Sequence, residues 1–109
     1  VSNAEIYNSC AVTAADEDCP DIRIASAQAA DELLYIKGVD ASFTLFDDRG
    51  SINISARSLG GFNVQLVMEA IGGGGHMNAS GAQFNHTDMD EAVACLKQVL
   101  DNMIKEGDI

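Results

Sequence analysis

Four consecutive glycines, Gly72 to Gly75, stand directly before His76 and constrain what the chain around them can be. Ordering four glycines costs a large loss of backbone entropy, and the residues themselves bury almost nothing. The segment ahead of them has helical spacing. Val64, Val67, Met68 and Ile71 recur every three or four residues behind Asn63, a residue type that caps helix N-termini. The segment after them, Ser80 to Phe84, suits a strand. The order helix, glycines, strand excludes a nucleotide loop of the Walker or Rossmann kind, in which glycines follow a strand and open a helix. Two readings remain. The run is a flexible linker or extended helix cap, or it is a place where backbone N–H groups converge and a ligand approaches closely, with His76 adding a hydrogen bond or charge. A helix cap accounts for one glycine and poorly for four, which favours the ligand.

The rest of the chain predicts one α/β domain. Its 109 residues are 47% hydrophobic, enough for one packed core. Ser9 to Ala14 reads as a buried strand ended by the acidic turn Asp16-Glu17-Asp18. Pro20 fits the first turn of a helix with Ile22, Ala25, Ala29, Leu33 and Ile36 as its buried stripe and Gly38 as its stop. Ala41 to Asp47 and Ser51 to Arg57 flank Asp48-Arg49-Gly50 as a hairpin. Alternation then places Ile52, Ile54 and Ala56 on one face and Asn53, Ser55 and Arg57 on the other. Thr87 and Asp90 make a capping-box-like start to a last helix that turns Met89, Val93, Leu96, Leu100 and Met103 inward and ends at Gly107. The predicted order is β-α-β-β-α-β-α, a single compact domain with a mixed sheet and packed helices over residues 9–106. Residues 1–8 read as a linker or tag remnant and 107–109 as a tail, so the chain is expected to be an excised domain of a larger protein.

Charge narrows the function. Six Lys and Arg against 17 Asp and Glu give −11, which argues against duplex nucleic acid and against direct contact with an anionic membrane. No stretch approaches the roughly 18 apolar residues of a membrane span. Cys10, Cys19 and Cys95 lack the spacing of a disulfide framework or zinc site, which points to a reducing compartment. Between Asp48 and Asp88 the only acid is Glu69, so Arg57 lies in an acid-poor stretch. It runs through Ser58-Leu59-Gly60-Gly61 into the Asn63 helix, whose first N–H groups favour an anion, and a guanidinium clamps phosphate well. The plainer alternative is a solvated Arg at a strand end. Asn78 and Ser80 can supply polar contacts or local turn bonds, and His86 reads as a surface turn residue. Ser80, His76 and Asp88 have no nucleophile elbow, and two histidines with scattered acids do not form a metal set. No catalytic residue and no metal or cofactor is therefore expected in this chain.

Ile54-Ser55-Ala56-Arg57-Ser58-Leu59-Gly60, then Asn63-Val64-Gln65, then Gly72-Gly73-Gly74-Gly75-His76 resemble the DHH-associated domain of DHH-family phosphoesterases. Ala27-Gln28-Ala29-Ala30-Asp31 with Leu33-Leu34, and Gly38-Val39-Asp40-Ala41-Ser42-Phe43, look like the GdpP-type cyclic-di-AMP phosphodiesterase branch. Met77-Asn78-Ala79-Ser80-Gly81-Ala82 leans towards nanoRNase-like members, so a cyclic and a short linear substrate both stay open.

The resemblance implies a division of labour. A DHH domain outside this chain would hold two Mn²⁺ ions and activate water, while this domain closes over the cleft and grips a cyclic dinucleotide or short oligonucleotide. Arg57 and Ser58 would contact phosphate, Gly72 to Gly75 and His76 would form the loop over the substrate, and Asn63 and Asn78 would contribute more weakly. The parent would be anchored in the bacterial plasma membrane with this domain in the cytoplasm, and a homodimer is left open. Two other classes compete: an RNA-binding module, disfavoured by the charge, and a nucleotide sensor without chemistry.

Overall fold

The computed structural model describes residues 5–7, 9–15, 22–48, 50–85 and 87–107. The acidic turn at Asp16-Glu17-Asp18, with Cys19, Pro20, Arg49 and His86, lies outside them. In chain order the elements are β1 (Glu5–Tyr7), β2 (Cys10–Ala15), α1 (Ile22–Leu33), β3 (Ala41–Asp48), β4 (Ser51–Ser58), α2 (Val64–Ile71), β5 (Gly74–His76), β6 (Ala79–Phe84) and α3 (Met89–Glu106). They form a mixed sheet in the order β1-β2-β3-β4-β6-β5, with β2 and β3 parallel and every other pair antiparallel.

The expected single domain with a mixed sheet and packed helices is present, and two short strands join the expected order. Glu5–Tyr7, assigned by the sequence to a leading linker, pairs with β2 as one edge. Tyr7 is fastened to α3: its hydroxyl donates to the Asp101 carboxylate, 2.6 and 2.7 Å from the two oxygens, and Lys97 pairs with Glu5 and lies 5.4 Å from the Tyr7 ring centroid. Gly74–His76 forms the other edge, where a loop was expected.

Alternation decides the two faces. Cys10, Val12, Phe43, Leu45, Ile52, Ile54 and Ala56 share one face and are buried under Val64, Val67 and Met68 of α2 and Ala92, Leu96 and Leu100 of α3. Ser42, Thr44, Asn53, Ser55 and Arg57 share the other, as the hairpin reading predicts. α1 covers part of this second face through Ser26, Ala30 and Leu33. The predicted stripe of Ala25, Ala29, Leu33 and Ile36 is thereby corrected. Ala25 is exposed, Ile36 is 42% exposed, and the helix ends at Leu33 in i→i+3 hydrogen bonds before Gly38 turns at φ 87°. The reason is the surface beneath. Small residues allow close approach, and the Ser42 hydroxyl donates to the Ala30 carbonyl at 2.5 Å. α3 is capped by Asp88, whose carboxylate accepts from Glu91 N at 2.8 Å, one residue later than the expected Thr87 start.

Burial and the nearby Asp40 charge push the Cys10 thiol up to about 12, whereas Cys95 is exposed. Because the thiolate is the reactive form, iodoacetamide at about pH 8.5 is expected to modify Cys95 and to leave Cys10 untouched until denaturant is added. Peptide mass mapping checks this, and equal rates at the two sites would show that β2 is not buried.

Candidate functional site

The pairing of β4, β6 and β5 builds the site. Arg57 pairs with Ala79, and Ala79 pairs with His76, so the three form one lateral row on the face that α1 only partly covers. Two strand spacings separate Arg57 from His76, ~10 Å between their backbones, and Ala79 between them is short. The neighbouring row is Ser55, Gly81 and Gly74, two of its three members lacking side chains. An open cleft of about 490 Å³ on this part of the molecule is lined by Phe46, Asn53, Ser55, Arg57, Gly73 and Gln83, among others. His76 is exposed on the edge strand beside the cleft and is not among its lining residues.

The structure gives the glycines separate duties. Gly72 is the left-handed cap of α2 at φ 105°, its N–H bonded to Glu69 O at 3.1 Å, and Gly73 N donates to Met68 O at 2.7 Å. Both donors close the helix, so neither is left for the anion-binding nest that the sequence suggested. A Cβ on Gly73 would lie 2.1 Å from Gly81 O, and one on Gly75, at φ 146°, would lie 2.6 Å from Ser80 Cα. Gly74 is different. A Cβ there meets nothing within 4 Å, so no contact in the fold accounts for that glycine.

The remaining candidates divide between gripping and bracing. Arg57 Nε lies 3.3 Å from Asp31 Oδ1, and Nη1 donates to Ala56 O at 2.8 Å. The acid-poor surroundings expected for Arg57 hold along the chain and fail in space, because α1 brings Asp31 to it. Glu69 sits on α2, across the sheet. Asp31 ends the run Ala27-Gln28-Ala29-Ala30-Asp31, and no spacing rule links it to a strand 26 residues later. Ser58, 6% exposed, lies on the opposite face from Arg57. Its hydroxyl donates to Phe62 O at 2.6 Å, with Met77 O at 3.2 Å, and accepts from Asn78 Nδ2 at 2.9 Å. Asn78 Nδ2 also reaches Gly60 O at 3.3 Å. Asn63 caps α2, its Oδ1 accepting from Leu66 N at 3.3 Å, and Val64 N donates to Met77 O at 2.9 Å. The Ser58 and Asn78 side chains are thus committed to tying the Ser58–Phe62 turn to the β5–β6 turn, while Asn63 and Met77 O take two of the first N–H groups of the helix N-terminus proposed for an anion.

Among the described residues no group of three or more His, Cys, Asp or Glu is arranged to hold a metal ion. No helix among them is long and apolar enough to cross a membrane.

Residues 10–102 match the family model described as the DHHA1 domain. The chain is 42% identical over 104 residues to the cyclic-di-AMP phosphodiesterase PdeA of Listeria monocytogenes, covering 93% of this chain and 16% of that protein. It is 39% identical over 98 residues to the cyclic-di-AMP phosphodiesterase GdpP of Geobacillus thermodenitrificans, covering 89% and 15%. The chain thus spans about a sixth of the length of these curated relatives. It also superposes on an exopolyphosphatase-related protein from Bacteroides fragilis with a TM-score of 0.81 at 31% identity, over 94% of this chain and 32% of that one.

Gly73→Ala, which drives a Cβ into backbone, should destabilise by ~2 kcal/mol or more, whereas Gly74→Ala should unfold at or slightly above the wild-type denaturant midpoint. Equal losses would mean that β5 packs otherwise. Ser58→Ala should cost about 1–3 kcal/mol by leaving buried partners unsatisfied, and an unchanged midpoint would show that the hydroxyl braces nothing.

Proposed function

Since the chain belongs to the DHHA1 domain family, we propose that it is the nucleotide-gripping domain of a DHH phosphodiesterase acting on cyclic-di-AMP or a related linear dinucleotide. The observation that carries this is the row Arg57, Ala79, His76, two potential phosphate ligands on one sheet face with a short side chain between them. The cyclic dinucleotide is favoured because relatives at 39% and 42% identity are cyclic-di-AMP phosphodiesterases.

In this reading Arg57 offers its guanidinium fork to a phosphate, and His76 donates a hydrogen bond to the same phosphate or the next. Gly74 and Gly81 keep the intervening surface low, so that sugar or base can lie against the backbone. Ser58, Asn63 and Asn78 act indirectly, holding the turns that follow Arg57 on β4 and His76 on β5. The chain contributes charge stabilisation and orientation; metal-activated water, with Mn²⁺ as the proposed ion, comes from a DHH domain outside it. The parent protein, on the same reading, is held at the plasma membrane by segments outside this chain, with this domain in the cytoplasm.

The test has two arms. The 109-residue chain with Mn²⁺ and cyclic-di-AMP should show no hydrolysis, and turnover by a clean preparation would overturn the division of labour. In a protein that joins it to a DHH domain, Arg57→Ala and His76→Ala should each lower kcat/KM by ~100-fold with the fold intact. Unchanged kinetics would remove that residue from the site.

A further inference from the structure

We propose that Asp31 is a positioning residue that fixes the plane of the Arg57 guanidinium and so presets its free edge for a phosphate; this rests on the phosphate-gripping reading of Arg57.

Three observations converge on Asp31. First, its place is unfavourable for a carboxylate by itself. It lies in the last turn of α1, at the helix's negative end, and no basic residue in that turn offsets it. Second, its partner comes from a different element. Asp31 Oδ1 lies 3.3 Å from Nε of Arg57, on the central strand β4. Third, the pair is asymmetric in exposure, the Asp31 side chain 62% exposed and the Arg57 side chain 25%. An ion pair with one so exposed member adds little to stability, so its effect is sought in geometry.

That geometry is a two-point hold. Asp31 engages Nε from the α1 side, while Nη1 donates to Ala56 O on Arg57's own strand. The hydrogen bond to Ala56 O anchors Nη1, and the Asp31 ion pair draws the Nε side of the guanidinium towards α1, which together restrict how the planar group turns. Among the described residues Nη2 has no partner, so it and the second hydrogen of Nη1 are left for a bidentate contact with a phosphate. Holding the fork in place before binding removes part of the ordering cost of an otherwise flexible side chain. It also gives a role in the site to α1, none of whose residues lines the cleft. The competing role for Asp31 has the opposite sign: by neutralising Arg57 it would weaken anion binding, and removing it would tighten the complex.

The experiment titrates the chain with the linear dinucleotide 5′-pApA, reading amide shifts and the Arg57 Nε–Hε resonance by NMR. Asp31→Ala is expected to raise Kd about fivefold to tenfold and to broaden the Hε signal, with the denaturant midpoint unchanged. Asp31→Glu keeps a carboxylate to pair with the guanidinium and is expected to return Kd to within about twofold of wild type with a sharp Hε signal. An Asp31→Ala variant that binds as tightly as wild type, or more tightly, overturns the proposal. Arg57→Ala separates the two levels. If it binds like wild type, the phosphate-gripping reading itself fails; if it weakens binding while Asp31→Ala does not, only the positioning role fails.

Discussion

β4 is paired over its length with β3 on one side and with β6 on the other, and side chains alternate strictly between the faces of a sheet. A slip of one residue would send Ile52, Ile54 and Ala56 to the open face and drive Arg57 and Asn53 under α2 and α3. Burying an unpaired guanidinium there would cost far more than a single strand pair returns. The apolar core and the candidate site are therefore two consequences of one register. The same register carries across β6 to β5, which is why Arg57 and His76 share a face although 19 positions separate them in the sequence.

Several backbone donors at the two ends of α2 are already taken. The N–H groups of Gly72 and Gly73 close α2, and those of Val64 and Leu66 are taken by Met77 O and Asn63 Oδ1. What glycine supplies is room. Gly73 and Gly75 let β5 lie against β6, and that contact places His76 at the edge of the sheet. The net charge of −11 acts in the opposite direction over long range, since an acidic shell repels an anionic ligand until it is within reach of Arg57. In the proposed role, a cation in such surroundings would favour an isolated phosphate that fits the cleft over a polyanion that must lie along the surface.

Much of this was legible in the sequence because it depends on alternation and spacing. The two faces of Ser51–Ser58, the inward stripe of α2 and the Asn63 cap all follow from short-range rules, and each is found. What the sequence hid depends on surfaces meeting in space. α1 buries Ser26, Ala30 and Leu33 because the sheet beneath it is small and polar, and an apolar stripe drawn through Ala25 and Ile36 has no access to that information. β5 was invisible because strand propensity is read from side chains, and Gly74 and Gly75 have none. Asp31 lies 26 residues from Arg57 along the chain, beyond any local pattern, and only the helix crossing brings them together.

The glycine run first posed a choice between cap and ligand, and the structure divides it between them. A helix cap needs Gly72, and tight strand pairing needs Gly73 and Gly75, by their backbone angle or by the atoms a Cβ would strike. These three would be glycine in a protein that bound nothing. Gly74 satisfies neither condition: its φ is not positive, and a Cβ would enter open space on the face that carries Arg57 and His76. A glycine in a strand is destabilising relative to alanine by roughly 0.5–1 kcal/mol, so the fold alone would favour a side chain there. Of the four glycines, Gly74 is the one whose lack of a side chain neither its backbone angle nor its neighbours explain, and the proposed ligand surface is where a reason for it is sought.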